Sequence, residues 1–341
     1  CGRYTPLIGN WWLARVSGKS TNEEEEESGE EGVKGGVFRR LAWMTPYISS
    51  GIVSIRIVDL NRELGKREID AKVNAKQGIV EVSGRTYNIP KPNVDARRET
   101  ATCLLCNNTI KNAGKNKEWY VKEALREYND NLERYLRGEI TLEKLLESKA
   151  KPRILVRVKV INRELEFESA TSEDNEKLWR ALEKIKAMWG DPDILTEQLP
   201  FYDQEFARTH IWGFDKWFKL FNSRQLLTLI KLVKLIREAG KQIEHEKVKE
   251  ELSKEEAFKY AETVTTYLSI ALLKHANYNS TVSSTEPTLK FIRETLAFRG
   301  IAMTWNFVEE YPIANVLGSF TRSLNSVIEG LSYQVSVVPN G

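Results

Sequence analysis

Cys103 and Cys106 form a Cys-x-x-Cys pair in "ETATCLLCNNTIKNAG", residues 99–114, and one further cysteine, Cys1, opens "CGRYTPLIGNWW". Two thiolates at this spacing can hold one Zn²⁺ from a single turn. Taken alone, the pair stays open among a zinc knuckle, a redox couple and coincidence. A redox couple begins a helix behind a strand, whereas the "NNT" after Cys106 suits a turn that folds back on a metal. Cys1-Gly2 reads as the second half of another Cys-x-x-Cys-Gly knuckle, its first cysteine three residues upstream. We therefore expect a zinc ribbon with Cys1, Cys103 and Cys106 as ligands. Water, a neighbouring chain or the upstream residue would fill the fourth position. A chain that starts inside a knuckle is expected to be a piece of a longer polypeptide.

Other familiar chemistry is missing from the sequence. His210, His245 and His275 are far apart and form no HExxH pattern, and neither GxGxxG nor GxxxxGK[ST] occurs. His275, at the end of an apolar helix, reads as a packed side chain or a C-terminal cap. Two polar stretches could meet a ligand. "WGFDKWFKLFNSRQLLTL", 212–229, places Arg224 and Gln225 in the first turn of a helix, where anionic or adenine-like groups can be received. "NYNSTVSS", with Asn277 and Asn279, is either a capped turn between helices or a loop that touches a ligand or a nucleic-acid backbone.

The elements that must position these residues follow from periodicity. Leu7–Val16 and 51–58 read as strands, and 77–90 as a hairpin with a Ser-Gly turn. Five consecutive glutamates within 17–36 read as a solvated loop. One or two helices are expected over 118–149, broken near Gly138, then a strand run over 151–171 and a helix over 172–190. Residues 191–215 are irregular. A long helix starts near Ser223 as its N-cap, and a second covers about 254–275. A third segment, 288–298, is expected to be helical, as is 316–330, and "YQVSVV" near the end to be a strand.

The chain has 341 residues, 29% charged and 41% apolar, with a formal net charge of +3. That is enough for one large domain or two modest ones. No 18-residue apolar run occurs, so no membrane span is expected, and the N-terminus lacks a signal-peptide pattern. An odd cysteine count argues against a disulfide framework and for a reducing, cytoplasmic setting. The near-balanced charge leaves any nucleic-acid partner to local patches.

Several stretches together resemble the middle part of the large zinc-ribbon-containing, adenine-specific DNA methylases that carry an N-terminal domain of unknown function. A "CxxCG…PL…WWL" knuckle is matched by Cys1, Gly2, Pro6, Leu7, Trp11, Trp12 and Leu13, and the second knuckle by Cys103 and Cys106. A "GLTTWGDLFTPRQLLAL"-like segment is matched from Gly213 to Trp217 and from Leu220 to Leu227, and "ADYNS" by Ala276–Ser280. "ALPMVWDFAEANPF" is matched by Ile301–Ile313. Asn222-Ser223 replace the usual Thr-Pro, and Asn306 stands where the family has Asp.

The resemblance implies an α+β chain: a β-rich zinc-ribbon-like module (1–112), a mixed insert that could recognise DNA (113–190), and a mainly helical part (191–341) of a Rossmann-like α/β methyltransferase core. It implies Zn and S-adenosylmethionine as cofactors and DNA as partner. Arg224, Gln225, Asn277 and Asn279 become candidates to line the donor pocket or to pack around it. Arg39, Arg40, Lys151 and Arg153 become candidate phosphate contacts or ordinary surface charges. The family's FxGxG donor loop and PPY catalytic motif are missing from this sequence. The expectation is thus a fragment or one subunit of a split enzyme, with a second polypeptide supplying both. The alternative is a stand-alone DNA-binding or assembly module without catalysis.

Overall fold

In the computed structural model, the described residues are 1–18, 33–110, 118–162, 164–200, 209–288, 291–296, 301 and 303–337. Most of the glutamate-rich stretch read as a loop lies outside them. Among them the chain is a mixed α+β fold with several sheets and helices.

One strand organises the first sheet. In β2 (Val33–Ser49), Leu41, Ala42, Trp43 and Met44 are all buried, which requires cover on both faces. Leu41, Trp43 and Met44 join the main core with Ile8, Trp11, Ile69 and Val80, while Ala42 packs with Ala14 and Phe167 on the other face. The strand's length serves three antiparallel partners: β1 (Trp12–Ser17), β3 (Ile52–Asp59) and β4 (Ile69–Asn74). β5 (Ile79–Val82) and β6 (Arg85–Asn88) continue the sheet beyond β4. Their turn is the expected Ser83-Gly84, both residues left-handed at φ 50° and 77°, which suits a two-residue hairpin. A small sheet follows, made of β7 (Val94–Asp95), β8 (Thr100–Thr102) and β9 (Thr109–Ile110).

The sequence reading erred where local signals overlap. Residues 151–171 are a hairpin, β10 (Val156–Ile161) and β11 (Glu164–Ser169), because Asn162 turns left-handed at φ 51°. The segment 288–298 holds a short strand, Phe291–Arg293, where a helix was expected. Residues 333–337 of "YQVSVV", whose last Val lies outside the described residues, are the end of a helix, Phe320–Val337, not a strand. Its apolar spacing (Phe320, Leu324, Val327, Ile328, Leu331) is helical and carries through the Val-Ser alternation. All ladders of the three sheets formed by β1–β11 are antiparallel. A doubly wound core is built on parallel strands, so these sheets do not form the Rossmann-like part of the expectation.

Among the described residues the α-helices include α1 (Leu60–Leu64), α2 (Tyr120–Leu136), α3 (Leu142–Leu146), α4 (Ser172–Ala187), α5 (Ser223–Lys249), α6 (Lys254–Tyr278) and α7 (Phe320–Val337). The break between α2 and α3 falls at Gly138, left-handed at φ 80°. The chain divides into two compact units. One contains Cys1–Tyr128, Leu146–Glu176 and Thr285–Phe291; the other contains Asn129–Leu145, Lys177–Ser284 and Ile292–Gly341. No described helix is long and apolar enough to cross a membrane.

A buried asparagine fixes the bend after β3. Asn61 Oδ1 accepts the Leu41 N–H at 2.9 Å, and its Nδ2 donates to the carbonyls of Arg39, Lys66 and Arg67 at 3.0–3.2 Å. Asn61→Ala leaves these groups unpaired in the core and should cost about 2–3 kcal/mol. Urea denaturation and loss of slow hydrogen exchange at the Leu41 amide would show it. Alanine at exposed Lys66 should change neither.

Candidate functional site

In the β-rich unit, the three cysteine sulfurs lie within 4.8 Å of one another. Cys1 and Cys103 Sγ are 3.7 Å apart. A tetrahedral zinc with Zn–S bonds of about 2.3 Å has S–S edges of about 3.8 Å, so the donor set fits a zinc ion to which one more ligand is added. The knuckle is a tight turn between β8 and β9. Asn107 N–H donates to the Cys103 carbonyl at 2.9 Å with Asn107 left-handed at φ 55°, and Cys103 N–H donates to the Asn108 carbonyl at 3.0 Å. Burial pushes the Cys103 thiol up, but the N–H groups of Cys106 and Leu105 and the Cys106 thiol outweigh it and hold Cys103 below the usual thiol range. Such a thiol ionises readily and is primed to bind a metal. Zinc held there would crosslink the N-terminal segment to the knuckle.

What delivers Cys1 to this turn is a residue the sequence reading missed. Asn93, buried, accepts the Ile8 N–H on Oδ1 at 2.7 Å and donates from Nδ2 to the carbonyls of Pro6 (2.8 Å) and Thr102 (3.0 Å). Its own N–H donates to the Ile8 carbonyl, and its carbonyl accepts from Thr102. Thr5 Oγ1 accepts the Leu104 N–H inside the knuckle at 3.1 Å. The only sequence signal was an Asn in a Pro-rich turn, "PKPNVD", which resembles any surface loop.

In the helical unit, the stretches expected to meet a ligand meet one another. The cap of α5 is Asn222, one residue before the expected Ser223. Asn222 Oδ1 accepts from Arg224 and Gln225 N–H, and Gln225 Oε1 accepts from Asn222 N–H, while Ser223 Oγ donates to the Leu178 carbonyl. Gln225 Nε2 donates to Asn279 Oδ1 (3.1 Å) and to the Val308 carbonyl (2.9 Å), and Asn279 Oδ1 also accepts the Glu310 N–H (2.9 Å). Arg224 Nε and Asn222 Nδ2 both reach Glu309, at 2.7 and 3.0 Å. His275 Nδ1–H donates to the Gly318 carbonyl at 2.7 Å, which leaves Nε2 to accept from Asn279 Nδ2 at 3.2 Å. Burial, only partly countered by the Gly318 carbonyl, pushes His275 below its ordinary value and keeps it neutral. The expectation of a packed His275 is therefore met. Asn277 lies apart from this junction, donating to Glu294 and accepting the Leu296 N–H. Gln225 and Asn279 are each 1% exposed, so their polar atoms are engaged internally.

Of the four candidate phosphate contacts, Arg40 is turned inward. It pairs with Asp59 at 2.6 Å, donates to the Leu165 carbonyl and lies over Phe167. Arg39 is exposed and donates to the Gly18 carbonyl. Lys151 Nζ lies 4.1 Å from the ring centre of Tyr4 in the N-terminal segment, and Arg153 donates to the Val53 carbonyl at 3.3 Å. No family model, no curated protein and no solved structure matches the chain.

Two outcomes follow from this geometry. Freshly purified protein should retain close to one zinc per chain; less than about 0.2 equivalents would exclude a structural site, since such a metal is part of the folding free energy. Chelation should lower the melting temperature of the β-rich unit, and Cys103→Ser should remove that sensitivity. Separately, burial raises the Glu310 carboxyl from 4.5 to about 7. The folded state then binds the proton more tightly than the unfolded one. The stabilisation is full below about pH 4.5 and disappears as pH rises through about 7. It amounts to at most about 3 kcal/mol. Glu310→Gln should flatten the decline in unfolding free energy between pH 5 and 8; an unchanged slope would exclude a buried carboxylic acid at this position.

Proposed function

We propose that this chain is the metal-anchored β module and the helical part of an S-adenosylmethionine-dependent DNA methyltransferase acting on the adenine amino group. One observation carries the reading. The residues that carry the family resemblance in the helical unit, Arg224-Gln225, Asn279 and Val308–Glu310, lie far apart in sequence yet share one buried polar junction around Gln225. A coincidental set of short matches has no reason to converge on the same hydrogen bonds.

In this reading α5, α6 and α7 form a helical layer of a Rossmann-like core. Arg224, Gln225 and Asn279 are positioning residues: their side chains hold the loop 308–310 against the start of α5 and leave donor contacts to other groups. Asn277 does the same for residues 294–296. Methylating an exocyclic amine needs acceptors for its hydrogens, an aromatic ring for the flipped base and a glycine-rich loop for the methyl donor. The sequence contains no PPY and no FxGxG, so a further stretch of polypeptide, in the same chain or a partner, supplies both. The reducing cytoplasm keeps the three thiols free for zinc.

Calorimetric titration of this chain with S-adenosylmethionine should show binding weaker than about 1 mM. Micromolar binding would place the donor site within these residues and overturn the division of labour. Co-expression with the flanking coding sequence should yield methyl transfer to adenine in duplex DNA. A folded, zinc-loaded assembly with both motifs and no transfer would sink the reading.

A further inference from the structure

Three segments of the β-rich unit, 1–16, 41–58 and 148–163, contain nine Lys and Arg residues and no Asp or Glu. The whole chain, by contrast, is nearly balanced at +3. The fold brings these segments together at the tip of the β2–β3 hairpin. Arg3 Nη1 donates to the Ser50 carbonyl at 3.3 Å, and Arg153 Nη1 donates to the Val53 carbonyl at 3.3 Å. The Arg56 guanidinium lies 3.3 Å over the centre of the Tyr47 ring. Lys151 lies over Tyr4 and donates to the Leu146 carbonyl at 2.9 Å, and Tyr4 Oη–H donates to the Ser148 carbonyl at 3.0 Å. Gly51, left-handed at φ +71°, makes room for Arg3: a Cβ there would sit 1.1 Å from Arg3 Nη1.

Three of the nine, Lys149, Arg157 and Lys159, pair with Glu127 or Glu168 from outside these segments; the partners of Arg3, Arg56, Lys151 and Arg153 are carbonyls and rings. Among the described residues, none of Arg3, Arg56, Lys151 and Arg153 forms an ion pair with a carboxylate. Carbonyl oxygens and tyrosine faces fix the position of a guanidinium or ammonium and leave its full charge in place. Tyr4, 52% exposed, and Tyr47, 40% exposed, keep the cations at the surface. Arg3 is two residues from Cys1, so the metal site would anchor this part of the face as well.

We propose that this face, made of Arg3, Tyr4, Tyr47, Arg56, Lys151 and Arg153, binds the phosphate backbone of DNA. The proposal rests on the reading of DNA as partner given above and assigns that partner a surface. Its argument is charge complementarity: fixed, unneutralised cations gain from releasing counterions off a polyanion and lose little side-chain entropy in doing so. Arg40, which has Asp59, takes no part.

The test uses the full zinc-loaded chain and a fluorescein-labelled DNA duplex, with anisotropy read across a salt series. Four phosphate contacts give a log–log salt slope of about −3 to −4. Arg3→Gln, Arg56→Gln, Lys151→Gln and Arg153→Gln should each flatten it by about 0.9. The quadruple variant should lose nearly all binding at 100 mM salt with an unchanged melting curve. Lys259→Gln, which removes a cation paired with Glu255 on an exposed helix face, should change nothing. A folded quadruple variant that binds like wild type overturns the proposal, as does a wild-type chain that ignores the duplex or prefers anionic vesicles or structured RNA. These outcomes are independent of the donor titration: micromolar S-adenosylmethionine binding would upset only the division of labour, and absent DNA binding only this surface.

Discussion

The contact between the sulfurs of Cys1 and Cys103 requires two points 102 residues apart to meet, and most of the β-rich unit is arranged around that closure. Closing a loop of this length costs chain entropy that grows slowly with length. The larger need is to pair the backbone groups that closure buries. Asn93 supplies this: one side chain and its own peptide group engage Pro6, Ile8 and Thr102 together. Once Ile8 is fixed, Trp11 enters the core and donates from Nε1 to the Lys91 carbonyl. β1 then pairs with the middle of β2. In this order the cysteine cluster is the last consequence of a hydrogen-bonded seam, and a metal would lock an arrangement that the polypeptide already holds.

The helical unit is built on the same principle. Gln225 and Asn279 spend their hydrogen bonds on one another, on the Asn222 N–H, on His275 and on peptide groups of the loop 308–310. A fully satisfied buried network specifies one arrangement, because any slip strands several polar atoms at once. The tautomer of His275 belongs to this specification: the Gly318 carbonyl demands a proton on Nδ1, so Nε2 is left as an acceptor for Asn279. Gly318 must also be small, since a Cβ would lie 2.8 Å from Tyr278 Cβ at a φ of +91°. Protonating His275 would oblige Asn279 to give up its donor bond, so acid would attack this junction from the histidine side, while Glu310 weakens it as pH rises.

What the sequence made legible was local. Strand alternation gave β3 and the β5–β6 hairpin, and amphipathic spacing gave α2 and α6 to within a few residues and the start of α5. The caps were misplaced by one residue at α5, because Asn222 and Ser223 are both good capping residues and only the Gln225 side chain decides between them. At α4 the helix starts at Ser172, as expected, and Thr171 caps it through reciprocal bonds with Asp174. The last helix was cut short because Val-Ser-Val reads equally as strand. The three cysteines were found by type and spacing, but Asn93 and Asn61 were invisible: a polar residue that organises a core through peptide groups has no periodicity. Arg40 could not be told from Arg39 without knowing which one faces Asp59.

That last pair shows why composition says little about charge in this molecule. Arg40, Lys219 and Arg224 are cations spent on the fold: Arg40 meets Asp59, the buried Lys219 sits between Glu133 and Asp215, and Arg224 meets Glu309. Removing such a partner would leave a desolvated charge, so these residues are committed. Arg3, Arg56, Lys151 and Arg153 are held by groups that carry no net charge, and their fields extend into solvent. A net charge of +3 therefore hides, among many other cations, one population paired with carboxylates and one gathered at a hairpin tip. Segments free of carboxylates make the second population possible, and the seam at Asn93 brings one of those segments, residues 1–16, into place.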